Sequence, residues 1–141
     1  MILQTGGQIM EDVQAQVKEA RSVRVYKDGK MTEYGAETQE FCRILSAWEE
    51  MTSEALPMPA FGVSVDALTR EEKKKGTWLE FVFGEERGEE LPFERLLIAC
   101  VPEYRGFNLV RYTQGGYSGR CYYLDLRDKD MRQLCSCLNH L

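Results

Sequence analysis

Four strand-like runs follow one another from Thr77 onward with no helical periodicity between them, and this succession constrains the fold more than any other feature. From Thr77 to Phe83, Leu79, Phe81 and Phe83 alternate with Trp78, Glu80 and Val82, the two-residue period of a strand with distinct faces. Leu96 to Val101 is an apolar run suited to a central strand covered on both sides, and Pro102 limits it. Phe107 to Thr113 and Arg120 to Leu126 flank Gln114-Gly115-Gly116-Tyr117-Ser118-Gly119, a loop whose residues tolerate the positive φ angles of a hairpin. Parallel neighbours need crossovers of a dozen or more residues, usually helical, so these runs point to an antiparallel meander.

Upstream, Ser22 to Tyr26 and Lys30 to Tyr34 flank Asp28-Gly29, the signature of a two-residue hairpin turn. Phe61, Val63 and Val65 alternate with Gly62 and Ser64, which predicts a half-buried strand. Thr69 with Glu72 has the capping-box form expected to open a short helix that Gly76 closes. Glu85 to Glu90 is charged and aperiodic and reads as an exposed connection.

Three apolar stripes supply the larger helices. Ile9, Val13, Val17 and Ala20 recur at three- and four-residue steps. Phe41, Ile44, Leu45, Trp48 and Met51 form a longer stripe between about Ala36 and Ala55, which Leu56-Pro57-Met58-Pro59 ends. Met131, Leu134, Cys135 and Leu138 make the last, with Asp128 as its expected cap. Residues 1–141 are thus expected to form a single α+β domain. Its antiparallel sheet, a meander with hairpins, is packed on one face by an N-terminal helix, a long central helix and a C-terminal helix.

The charge balance narrows the partners. With 18 Lys and Arg against 23 Asp and Glu, the formal charge is -5, and no nucleic acid is expected, because phosphate contacts supply most of the affinity for it. Lys73-Lys74-Lys75 directly follows Glu71-Glu72 and reads as a solvated helix end. No run approaches the roughly 20 apolar residues that span a bilayer, so no membrane association is expected. The first residues lack the basic and apolar segments of an export signal. Together with an odd cysteine count of five, this predicts a cytoplasmic protein whose thiols are mostly small buried hydrophobes.

Chemistry-bearing motifs are scarce. The single histidine, His140, is the penultimate residue, a poor place for a catalytic imidazole or a metal ligand. Cys135 and Cys137 are two apart on a predicted helix and do not face each other, so no metal is expected there, and no cofactor is implied elsewhere. Gly115, Gly116 and Gly119 join two strands and do not precede a helix, unlike a phosphate-cradling loop.

Helices on only one side would leave the other sheet face bare, with Val110, Tyr112 and Tyr123 on it as interface candidates, unless the short helix or an N-terminal segment covers that face. A non-catalytic protein-interaction or self-associating module is the expectation. The alternative is a small-molecule binder or cryptic enzyme with a pocket between the sheet and the long helix, lined by Trp78, Glu80, Arg111 and Tyr122.

Overall fold

Asp28 and Gly29, at φ 51 and 88, form the tight turn that their sequence predicts. This turn joins β1 (Ser22–Lys27) to β2 (Lys30–Gly35) in the antiparallel register Lys27↔Lys30 to Ser22↔Gly35. In the computed structural model, which describes residues 13, 16–58, 62–88 and 91–141, this hairpin is one end of a seven-stranded antiparallel sheet. Thr38 then caps α1 (Gln39–Met51), its hydroxyl accepting from the Phe41 amide at 3.1 Å. The chain continues through β3 (Leu56–Met58), β4 (Val63–Ser64), α2 (Asp66–Glu72), β5 (Thr77–Arg87), β6 (Phe93–Ala99), β7 (Gly106–Tyr112), β8 (Gly119–Arg120), β9 (Tyr122–Asp125) and α3 (Arg132–Asn139). The large sheet has the order β2-β1-β5-β6-β7-β9-β3, and β4 pairs separately with β8.

Three helical segments pack this α+β sheet as the apolar stripes predict. Phe41, Ile44, Trp48 and Met51 of α1 and Leu134, Cys135 and Leu138 of α3 share one buried cluster with Val23, Val25, Leu79, Phe81, Leu96 and Ile98 from the sheet. Val13, Val17 and Ala20 from the N-terminal segment join the same cluster around a short 3-10 turn, Val17–Glu19; Ile9 lies outside the described residues. The Trp48 ring sits edge-on to Phe81 at 5.1 Å and beside Phe107 at 5.7 Å, so the space between sheet and long helix is filled by core side chains. Leu96, Leu97 and Ile98 are all fully buried, as a central strand covered on both faces requires.

Several local expectations are corrected. Thr69 does not open α2 but lies buried within it, and the helix begins at Asp66, whose carboxylate accepts from the Tyr117 amide at 2.8 Å and from Arg70 at 2.9 Å. A tertiary partner for Asp66 therefore outweighs the local capping signal. Asp128 does not cap α3; it faces Arg105 at 3.6 Å, while Asp130 accepts the Arg132 amide at 3.0 Å. The charged segment after Phe83 does not leave the sheet at once, because Gly84, at φ 82, absorbs an irregularity and β5 runs on to Arg87, which pairs with Phe93. Val63 and Val65, expected to be half-buried, point outward, and Phe61 lies outside the described residues.

Candidate functional site

Strand register distributes the polar residues between the two faces. Arg24 pairs with Glu80 and Tyr26 with Trp78 across β1 and β5, and Glu80 pairs in turn with Leu97 and Trp78 with Ala99 across β5 and β6. Directly opposed residues share a face, so Arg24, Tyr26, Trp78 and Glu80 all stand on the side away from α1. Leu97 continues to Val110 and Arg95 to Tyr112, which places Arg95, Val110 and Tyr112 on that second face too.

Glu80 is 0% exposed there. A buried carboxylate is tolerable only when hydrogen-bonded and paired, since the effective penalty of dehydrating an ion is several kcal/mol. Tyr26 Oη donates to Oε1 at 2.7 Å and Tyr117 Oη to Oε2 at 2.5 Å. Arg24 approaches Oε1 at 3.9 Å and Arg95 approaches Oε2 at 3.6 Å. Lys73, just past α2, donates to Tyr117 Oη at 2.9 Å, and its ammonium lies 4.5 and 4.6 Å from the centres of the Tyr26 and Tyr117 rings. The Arg95 guanidinium is 3.6 Å from the centre of the Tyr112 ring. Two guanidiniums thus flank one carboxylate, which Lys73 reaches through the Tyr117 hydroxyl, with Glu33 taking a share of Arg24 at 3.4 Å.

Burial, reinforced by the Glu80 charge, pushes the Tyr26 phenol up to about 12 and moves Tyr117 upward as well. Burial lowers Lys73 against the opposing pull of Glu80. Both phenols are therefore fixed as donors, and the cluster is closed beneath α2. Its chemistry is fastening. Ser64 Oγ donates to the Tyr117 carbonyl at 2.8 Å, Asp66 accepts the Tyr117 amide, and Arg70 donates to the Gly115 carbonyl at 3.2 Å. Tyr117 ties the β4–α2 segment to the sheet through both its backbone and its hydroxyl.

The four residues expected to line one pocket are divided. Trp78 and Glu80 occupy the second face, whereas Arg111 opposes Leu96 and Tyr122 opposes Leu109 on the helical face. The donors of Arg111 are used on backbone, Nε to the Arg120 carbonyl and Nη1 to the Pro92 carbonyl, both at 2.6 Å, and Tyr122 Oη donates to the Leu91 carbonyl at 3.0 Å. Of the three interface candidates, Val110 and Tyr112 pack around Tyr26, Leu97 and Tyr117 at the edge of the cover formed by α2. Tyr123, opposite Asn108 and Met58, stands where α2 does not reach, at the β7–β9–β3 end of the second face.

Tyr26, Lys73, Arg95 and Tyr117 belong to no motif. Their only trace in the sequence is Glu80, a carboxylate in an apolar strand that obliges the fold to supply partners. The outer side of the cover is also unexpected. Val63, Val65 and Leu68 are 70%, 59% and 58% exposed, three large aliphatic side chains within six residues.

Burial raises the thiols of Cys100, Cys121, Cys135 and Cys137, so none of these four is an activated nucleophile. Among the described residues, no group of three or more His, Cys, Asp or Glu side chains could hold a metal ion, and no helix is long and apolar enough to cross a membrane.

No protein-family model matches this chain, and no curated protein or solved structure matches it either.

Proposed function

We propose that this chain is a non-catalytic, self-associating protein that pairs with a second copy through the β4–α2 shelf. The carrying observation is the exposure of Val63, Val65 and Leu68 on a segment fastened through Ser64 and Asp66 to Tyr117, whose hydroxyl donates in turn to the buried Glu80 carboxylate. Apolar side chains on a loose loop would fold back onto the protein. Here the Tyr117 anchor holds their backbone in place, so little ordering entropy remains to oppose association. Fully burying a Val or Leu side chain is worth about 1.5–3 kcal/mol, and three together are enough to seat a partner at the centre of an interface.

Charge favours a second copy as the occupant. The chain as a whole carries -5, which opposes self-contact over most of its surface. Around the shelf, however, Asp66, Glu71 and Glu72 stand beside Arg70, Lys74 and Lys75, a mixed set that a two-fold axis can bring into register with itself. The free thiols are in keeping with work in the cytoplasm.

Sedimentation velocity over a wide concentration range tests this reading. The wild-type chain is expected to sediment as a dimer at high micromolar concentration. Leu68→Glu, at an exposed position on α2, should remain folded by circular dichroism and sediment as a monomer. A wild-type chain that is monomeric throughout, or a Leu68→Glu chain that dimerises unchanged, would remove the proposal.

A further inference from the structure

At the end of the second face, where β7 begins and β9 finishes, a cleft of about 500 Å³ is lined by Tyr104, Arg105, Gly106, Tyr123, Asp125 and Arg127. Gly106 pairs with Asp125 across the strands, and because it lacks a side chain the Tyr123 hydroxyl can lie against the strand where a Cβ would stand. Tyr104, 48% exposed, supplies a second aromatic wall.

Arg127 is the unusual member. Its φ of 64 lies in the left-handed region, where glycine or asparagine would fit with less strain. Its backbone is clamped from both sides: the amide donates to Asp125 Oδ1 at 2.9 Å, and the carbonyl accepts from Arg105 Nε at 3.2 Å and Nη2 at 2.8 Å. The turn itself therefore does not call for arginine. Among the described residues the Arg127 guanidinium has no hydrogen bond or ion pair, although Asp125 lines the same cleft. A cation and a carboxylate thus stand in one cleft without closing on each other, beside two aromatic rings. Strain retained at a clamped position, with an uncommitted charge as its result, is the pattern of a residue kept for binding.

We propose that this cleft binds a small aromatic zwitterion, of which an aromatic amino acid is the simplest form. The ring lies against Tyr104 and Tyr123, the carboxylate meets Arg127, and the ammonium meets Asp125. The volume is in the range that such ligands occupy. This site is separate from the β4–α2 shelf, and the failure of either proposal leaves the other standing.

The test is an NMR titration of isotopically labelled protein with L-phenylalanine. Saturable shifts are expected in the amides of residues 104–106 and 123–127. 3-Phenylpropionate and phenethylamine, each lacking one of the two charges, should bind at least about tenfold more weakly, the equivalent of about 1.4 kcal/mol. Arg127→Gly should melt no lower than the wild type yet lose at least about tenfold in affinity, and Tyr104→Ala, at an exposed position, should also weaken binding. The proposal is overturned by the absence of saturation up to the solubility limit, by a half-ligand that binds as tightly as phenylalanine, or by undiminished binding to Arg127→Gly.

Discussion

Glu80 is the residue on which the second face is organised. Its register on β5 forces the carboxylate away from the helical core, and the cover above it leaves it no water, so Tyr26 and Tyr117 must donate to it. This arrangement gives stability a dependence on alkaline pH. Both phenols hold their protons more tightly in the folded protein than in the unfolded chain, where tyrosine ionises near 10. The folded state therefore binds more protons in that range, and the stability that they contribute is complete below about pH 10 and declines as the pH rises toward and through about 12, the value for Tyr26. In a spectrophotometric titration, at least two of the seven tyrosines should ionise only as circular dichroism is lost. Ionisation of all seven with the folded signal intact would contradict this account.

At the scale of elements, α2 is too short to persist by its own propensity, since isolated helices below about 12 residues are marginal in water. Its seven residues and the Lys73 that follows are held by what they touch: Tyr117 through Asp66 and Lys73, and Gly115 through Arg70. Tyr117→Phe keeps the ring and removes the hydroxyl, which leaves Glu80 with one donor fewer. Hydrogen bonds to charged groups are worth about 1.5–3 kcal/mol, so amide exchange in α2 should accelerate by roughly ten- to a hundredfold while α1, packed on the other face, changes far less. Equal acceleration in both helices would show that Tyr117 does not fasten α2 in particular.

The same element shows where sequence patterns stop being informative. The alternation of Val63 and Val65 establishes which side chains share a side, but not whether that side meets a core. Among the described residues β4 pairs only with the two-residue β8, and Val63 and Val65 stay exposed. By contrast, Trp48 and its stripe needed no such information. Five apolar residues on one face of a 13-residue helix have no stable place except against a sheet.

For the whole molecule, the sheet separates two layers of different character. One is a continuous apolar core; the other is a small aromatic cluster built around ions. Each layer contains one of the two tryptophans, Trp48 in the first and Trp78 in the second, where its indole donates to the Lys75 carbonyl at 2.8 Å. Both layers are anchored on the same strands, β1, β5, β6 and β7, so they should unfold together. Urea denaturation of Trp48→Phe and Trp78→Phe, followed by the fluorescence of the remaining tryptophan, should give transitions that each coincide with that variant's own circular dichroism. A fluorescence transition for Trp78 that precedes the loss of secondary structure would mark the second layer as a separate unit.

By itself, the sequence determined the antiparallel pairing, the α+β class and the identity of the helical core. Strand alternation, the Asp28-Gly29 turn and the apolar stripes are local properties, each readable within a dozen residues. Only the tertiary structure decided that α2 crosses to the far face, that Tyr117 leaves its hairpin loop to meet Glu80, and that Trp78 and Glu80 are separated from Arg111 and Tyr122 by the thickness of the sheet. Those outcomes join residues 37 to 53 positions apart, such as Tyr117 with Glu80 and with Ser64. No local periodicity encodes such contacts, because their free energy comes from removing several charges and rings from water in one place at one time.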